Sequence, residues 1–212
     1  MHQLPGERYH FAGSRGIDHA SLQRLGAGHA TLYDAIIRNR AATAASGRPV
    51  PICHEEFFIE GEQGGIDQFR RGIWTITMAG GCFKGASLGW WIGTRYERGV
   101  HFEVAGRLTE FMSRLPFEEM APIASPASGP YVFGREGGPW VVYFPDRGSV
   151  SLPAVRHKVQ RRWFDPITGA WTEPQRSEAI DASATVTSER EAVLLVEAAE
   201  ERELPSDSNS PP

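Results

Sequence analysis

Hydrophobic positions in the first 120 residues alternate between helical and strand-like spacing. Apolar residues that recur at intervals of three and four predict amphipathic helices. The predicted helices span 20–40, 66–76 and 104–115. Between them, 48–58 and 82–92 are short apolar runs rich in strand-forming residues, which is typical of buried parallel strands. This order of elements predicts an α/β region over residues 1–121.

The pattern changes after residue 121. Residues 122–130 are rich in Pro, Ser and Ala, which predicts a linker. Beyond it, short apolar runs separated by turn sequences predict an antiparallel β-sandwich over 131–197. Seven such runs lie at 131–133, 140–144, 149–152, 159–164, 170–172, 184–187 and 192–197. The charged, Pro- and Ser-rich stretch 198–212 predicts a disordered tail.

Composition and charge argue against nucleic acid and membranes as binding partners. The chain has 212 residues and a net charge of −4, and the segment 197–212 accounts for all of this charge. The remaining body is neutral in sum, without the clustered Lys and Arg that bind nucleic acid or an anionic membrane, so neither partner is expected. No apolar run is long enough for a membrane span and no signal peptide is recognisable at the start, so localisation stays open.

The sequence predicts neither a metal site nor a cofactor. Cys53 and Cys82 are too few for a disulfide framework and lack zinc-ligand spacing, so we expect two buried thiols. A metalloprotease helix would need histidine four residues after His54, and that position is Phe58. The glycines form neither a dinucleotide-binding fingerprint nor a P-loop.

The most polar cluster in an apolar setting is His54-Glu55-Glu56, at the carboxyl end of the predicted strand 48–58. A carboxylate at the end of a buried parallel strand has to be paired or used in chemistry, because desolvation otherwise neutralises it. We therefore take Glu55 and Glu56 as catalytic candidates and His54 as a substrate-binding candidate. The alternative is an ion pair between a glutamate and Arg70 or Arg71 on the next helix.

Two further signals follow the second predicted strand. Residues 85–89 match G-x-S-x-G, but Trp90 and Trp91 follow where a nucleophile elbow requires a helix, so a tight strand end is expected. Paired tryptophans usually belong to a core. At a strand end between glycines, Trp90 or Trp91 can instead face a cleft and stack on a sugar ring, which makes both substrate-binding candidates.

Two stretches carry a resemblance to known families. RPVPICHEEFFIEGEQGGIDQFRRGIWTITMAGG, followed by GASLGWWIG, resembles the last part of the apiosidase-like glycoside hydrolases. The stretches GPYVFGREGGPWVVYFPDRGSVSLP and VQRRWFDPITGAWTEP resemble a domain that often follows that barrel and is named for collagen binding in a collagenase. Together the two resemblances cover about residues 48–197, in the order usual for the family.

The resemblance implies a fold and an incomplete site. It implies the last three strand-helix units of a (β/α)8 barrel, an incomplete barrel without its first five strands, followed by the antiparallel β-sandwich. Retaining glycosidases use two carboxylates, and the family places the acid/base on an earlier strand. The nucleophile corresponds to Glu56, with Glu55 still possible. Strand alternation would direct Glu56 and His54 into the cleft and Glu55 towards the helices.

Two functions follow as expectations. The first is the C-terminal fragment of a glycoside hydrolase acting on plant or polysaccharide glycosides, inactive alone unless the missing barrel half complements it. The second is a non-catalytic protein that binds collagen or carbohydrate through its β-sandwich. The expected partners are therefore a carbohydrate substrate or matrix polymer and the missing barrel half.

Overall fold

A computed structural model of the chain supplies the architecture. It describes residues 2–3, 10–23, 28–56, 65–83, 98–123, 125–126, 128–152, 154, 157–180 and 184–199. Of residues 2, 3, 56 and 98–100 only the backbone enters the description. Within these ranges the chain forms three α-helices and twelve β-strands arranged in three sheets.

The elements follow in chain order. The helices are α1 (His29–Ala45), α2 (Gly65–Met78) and α3 (Arg98–Met112), with a 3-10 turn at Phe117–Glu119. The first strands are β1 (His2–Gln3), β2 (Ala20–Gln23), β3 (Ile52–Glu56), β4 (Cys82–Phe83), β5 (Ala121–Ile123) and β6 (Tyr131–Gly134). The others are β7 (Trp140–Phe144), β8 (Gly148–Ser151), β9 (Val159–Phe164), β10 (Gln175–Ser177), β11 (Thr185–Ser188) and β12 (Ala192–Ala198).

The two main sheets differ in direction and size. The first four strands form an open parallel sheet in the order β1-β2-β3-β4. Six later strands form an open antiparallel sheet in the order β10-β9-β12-β7-β6-β5. In this larger sheet β12 lies in the middle and pairs along its length with both β7 and β9. A separate antiparallel pair, β8 and β11, completes the fold.

The helices pack against the antiparallel sheet as well as the parallel one. The fully buried Trp74 of α2 stacks on Tyr143 of β7 with ring centroids 5.6 Å apart. Phe111 of α3 lies 5.2 Å from Phe164 of β9. One hydrophobic core therefore runs from Ala20 in β2 to Leu195 in β12. A second, smaller core lies on the other face of the antiparallel sheet, against β8 and β11.

The predicted fold class, an incomplete (β/α)8 barrel followed by a β-sandwich, is wrong. The described residues hold three short helices against twelve strands, and the largest sheet is antiparallel and open. In a barrel the helices form the outer layer. Here α2 and α3 are covered by a second sheet, because their aromatic residues face β7 and β9. The sequence pattern could not show this, since an amphipathic period marks one apolar face and not what covers the other.

The first predicted helix begins too early. Residues 20–23 form β2, and α1 starts only at His29, after an extended Gly28. The helical spacing of apolar residues extends back to Leu22, which lies in β2, while the glycines at 26 and 28 were the better signal of a break. The helices predicted around 66–76 and 104–115 are confirmed as α2 and α3.

Six of the seven predicted β runs are confirmed, while one run and the predicted linker differ. The run at 170–172 gives only an isolated bridge between Trp171 and Phe164. The predicted linker 122–130 begins inside β5, which pairs with β6. The boundaries of the predicted domains stay predictions, although the main core contains residues from both sides of 122–130. Residues 200–212 of the predicted tail lie outside the described residues.

Candidate functional site

The carboxyl ends of β2, β3 and β4 meet at one edge of the parallel sheet. Gln23, the last residue of β2, pairs with Glu56, the last residue of β3. His54 of β3 pairs with Phe83 of β4. In open sheets with parallel strands, ligands bind outside these carboxyl ends. This edge is therefore the candidate functional site.

The end of α2 brings β4 alongside β3. The backbone N–H of Gly81 donates to the carbonyl of Ile76 (2.9 Å), and Gly80 takes a φ of +69°, which a residue with a side chain rarely adopts. A Cβ on Gly81 would lie 3.0 Å from Ile36 and 3.1 Å from the carbonyl oxygen of Ile52. Glycine at 81 thus allows β4 to start in contact with α1 and β3.

A β-bulge lies at the predicted glutamates. Leu22 pairs with His54 and the next residue, Gln23, pairs with Glu56, so Glu55 is the extra residue of β3. Bulges interrupt the alternation of side chains along a strand and re-aim them, often beside functional sites. The argument that alternation directs Glu55 and Glu56 to opposite sides therefore does not hold at these positions. Both glutamates remain candidates.

Below the glutamates, one face of the sheet carries three small side chains, which we call the floor of the site: Ser21, Cys53 and Cys82. They are lateral neighbours on β2, β3 and β4. Cys53 and Cys82 form a disulfide with Cα atoms 4.4 Å apart, so the expectation of two buried thiols is wrong. The buried Ser21 Oγ has no hydrogen-bond partner among the described residues.

The predicted site residues are described to different extents. His54 is fully buried, and it shares its face of β3 with Ile52 of the main core. Glu55 is half-buried. The side chain of Glu56, the pair Trp90 and Trp91, and the segment 85–89 lie outside the described residues. The structure thus places His54, Glu55 and the backbone of Glu56 at the site edge.

Arg70 and Arg71 both form ion pairs with Glu191 of the turn before β12, and each has a second partner, Asp67 for Arg70 and Asp146 for Arg71. The Arg70 guanidinium binds the Glu191 carboxylate at both oxygens, through Nε (3.0 Å) and Nη2 (2.7 Å). Arg71 Nε lies 3.4 Å from the same group, and Tyr143 donates its hydroxyl to it at 3.0 Å. Arg70 and Glu191 are each only 5% exposed. The Glu191 cluster, which consists of Glu191, Arg70, Arg71 and Tyr143, fixes α2 on the antiparallel sheet.

Burial and neighbouring charges shift the pKa values of three buried tyrosines and of Arg70. Desolvation and the neighbouring Glu191 carboxylate raise the pKa of Tyr143 well above its ordinary value. Desolvation also raises the pKa values of Tyr131 and Tyr33, whose rings stack 4.2 Å apart. Although burial opposes its charge, the hydrogen bonds and charges of Glu191 and Asp67 raise the pKa of Arg70 above its ordinary value. The arginine therefore stays charged in the core.

Sequence reasoning missed the Glu191 cluster, Ser21 and Gln23. Glu191 follows Glu189 and Arg190 in a stretch that resembles an exposed turn, and its arginine partners are about 120 residues away. Ser21 and Gln23 fell inside the wrongly predicted helix. A signal for the disulfide was available: Cys53 and Cys82 occupy predicted strands that are consecutive in the sequence.

A second concavity lies on the antiparallel sheet. It is an open groove of about 490 Å³ between the turn after β9 and the turn after β11. Its lining includes Trp163, Asp165, Trp171, Glu189 and Arg190. Arg190 bridges the groove to Asp165 at 3.4 Å. Aromatic and charged groups together can bind a polar ligand.

The described residues form neither a metal-binding cluster nor a membrane-spanning helix. Among the residues that the structure describes, no group of three or more His, Cys, Asp or Glu side chains is placed to hold a metal ion. None of the helices in the described ranges is long and apolar enough to cross a membrane.

The fold is glycoside hydrolase-like. A solved structure named "Glycoside hydrolase" superposes on this chain with a TM-score of 0.61 at 14% sequence identity. The match covers 88% of this chain and 54% of that structure, so the chain spans about half the length of its neighbour. No family model matches the chain, and no match was found among curated proteins. The apiosidase-like and collagen-binding-type resemblances stay predictions.

Proposed function

We propose that the chain is a carbohydrate-active protein of the glycoside hydrolase kind, with its site at the carboxyl edge of the parallel sheet. The observation that carries this proposal is the placement of Glu55 and Glu56 at that edge, in a fold that is similar to a glycoside hydrolase. The apiosidase-like resemblance of 48–92 supports the finer assignment, hydrolysis of O-glycosidic bonds in plant or polysaccharide glycosides.

In this proposal one of the two glutamates is the nucleophile. A retaining glycosidase needs a second carboxyl group about 5 Å from it as acid/base. We propose that a segment outside this chain supplies that group, because the chain spans about half of the neighbouring structure. The chain alone then binds a saccharide but does not hydrolyse it. Trp90 and Trp91 would stack on the sugar, and the buried His54, on the core face of β3, would stabilise the strand that carries the glutamates.

The test combines binding and turnover measurements on the full chain. Aryl glycosides and pectin-type oligosaccharides are offered to the wild type, Glu55→Gln, Glu56→Gln and the control Glu118→Gln, which is exposed on the 3-10 turn. We expect binding without turnover, weakened about tenfold or more by one of the site variants and unchanged in the control. Absence of saccharide binding would overturn the proposal. Turnover lost in Glu56→Gln would keep the hydrolase class and refute the need for a second segment.

The groove on the antiparallel sheet favours a second candidate function, binding of carbohydrate or collagen without catalysis. The lining of this groove includes the aromatic rings of Trp163 and Trp171 and the charged side chains of Asp165, Glu189 and Arg190. In this case Arg190→Ala weakens binding and Glu56→Gln does not. Because Arg190 is largely exposed, its replacement leaves the fold intact.

A further inference from the structure

The Cys53–Cys82 disulfide joins the two strands that carry the candidate site. Among the described residues, β4 lies at the edge of the parallel sheet, and its register with β3 consists of two residue pairs. The disulfide connects the first of these pairs, Cys53 with Cys82, and the second is His54 with Phe83. The described β4 therefore depends on this covalent bond more than a long strand would.

Both cysteines are half-buried and not enclosed in the core. They lie on the face of the sheet opposite to Ile52, which belongs to the main core. Exposed disulfides are the ones that small thiols attack, whereas enclosed ones resist reduction. The partial exposure of Cys53 and Cys82 is the opening through which a small thiol would approach this bond.

The bond also lies directly below the proposed site residues. Cys53 precedes Glu55 by two residues in β3, and Cys82 begins β4, which pairs with β3 beside His54. The alignment of β3 with β4 thus supports the strand end that carries the glutamates. Loss of that alignment would change the geometry of the site while the antiparallel sheet stays intact.

We propose that Cys53–Cys82 is a thiol-exchange site, and that its reduction by a small thiol, such as a dithiol or a glutathione-type thiol, loosens the floor of the candidate site. The thiolate attacks one sulfur, and the sulfur–sulfur bond breaks with its electron pair on the other cysteine. A second thiol group then attacks the mixed disulfide. Two electrons and two protons pass to the protein, which gains two thiols, and the small thiol leaves as its own disulfide.

The structural consequence is tested by hydrogen exchange on the full chain, oxidised and then reduced with dithiothreitol. We expect amide exchange in β3 and β4 to accelerate about tenfold or more on reduction, while the amides of β7 and β12 stay protected. The double variant Cys53→Ser/Cys82→Ser should exchange like the reduced protein and not respond to dithiothreitol. Unchanged exchange in β3 and β4 on reduction would overturn the proposal, and so would a loss of protection in β12.

The effect on ligand binding rests on the proposed function and is measured separately. The oxidised chain should bind a pectin-type oligosaccharide more tightly than the reduced chain, by about tenfold. Equal affinity of the two forms would refute control of the site by the disulfide. Accelerated exchange in β3 and β4 with no saccharide bound in either form would support the exchange site and overturn the proposed function.

Discussion

The parallel and the antiparallel sheet of this protein are held together in different ways. The strand β12 pairs with β7 over five residues and with β9 over six, and both of its faces are buried in hydrophobic cores. In the part of the chain that the structure describes, the edge strands β1 and β4 each contribute two residue pairs to the parallel sheet, and β4 is fastened by a disulfide. The region with the proposed site is thus the less extensively paired of the two.

This difference shows how the candidate site is supported. The helices α1 and α2 lie between the two sheets, and the Glu191 cluster fixes α2 to the antiparallel sheet. We infer that stability originates mainly in the antiparallel sheet and reaches the parallel sheet through the helices. Regions of low pairing open first, and functional sites are often drawn from them.

The largest effect is expected for Glu191→Ala. Removal of this carboxylate leaves the buried Arg70 with the exposed Asp67 as its remaining ion-pair partner and takes the acceptor from the Tyr143 hydroxyl, which costs about 3–5 kcal/mol of the free energy of unfolding. Urea unfolding followed by circular dichroism measures the loss. Glu189→Ala, two residues away and exposed, is the matched control and should stay within about 0.5 kcal/mol. A loss below about 1 kcal/mol for Glu191→Ala would show that the Glu191 cluster does not fix α2 to the antiparallel sheet.

A pair of matched leucine substitutions compares the two sheets directly. Leu194 of β12 and Leu22 of β2 are each 1% exposed. Leucine-to-alanine changes in cores cost about 2–5 kcal/mol, and less where the surroundings can relax into the cavity. We expect Leu194→Ala in the upper part of this range and Leu22→Ala in the lower part, by urea unfolding. The reverse order would contradict the comparison.

High pH should destabilise the interface between helices and antiparallel sheet. The pKa values of Tyr33, Tyr131 and Tyr143 are raised in the folded state, so above about pH 10 the unfolded chain loses protons that the folded chain keeps. The contribution of these tyrosines to the free energy of unfolding is therefore fully present below about pH 10. Above that pH it falls, by up to about 1.4 kcal/mol per pH unit for each tyrosine. Unfolding measured from pH 8 to 11.5 checks this. Tyr33→Phe should reduce the slope, and an unchanged slope would exclude this tyrosine as a contributor.

The smallest effect on stability is expected at the candidate site itself. Because Arg70 and Arg71 form ion pairs with Glu191, Glu55→Ala does not remove the carboxylate that neutralises them. We expect the half-buried Glu55→Ala to cost below about 1 kcal/mol in urea unfolding, with Glu118→Ala as an exposed control. A loss as large as that of Glu191→Ala would mean that Glu55 is a structural residue.

The sequence predicted elements better than it predicted how they assemble. The helices α2 and α3 and most strands of the antiparallel sheet followed from local periodicity and turn residues. The bulge at Glu55 and the pairing of Arg70 with Glu191 depend on contacts between distant segments, which periodicity does not encode. The packing of the antiparallel sheet on α2 also depends on contacts between distant segments. Of the candidate site, the position of the glutamates at a parallel strand end was predictable, but their directions were not.

Native-state hydrogen exchange in increasing urea tests the central claim, that the helices and the antiparallel sheet form one cooperative unit and the parallel sheet opens below it. The amides compared are those around Ile73 in α2, Leu194 in β12 and Cys53 in β3. The account predicts that the opening free energies of Ile73 and Leu194 merge into one global value, while Cys53 exchanges through a smaller opening. Exchange of Ile73 at a lower free energy than Leu194, with its own urea dependence, would contradict it.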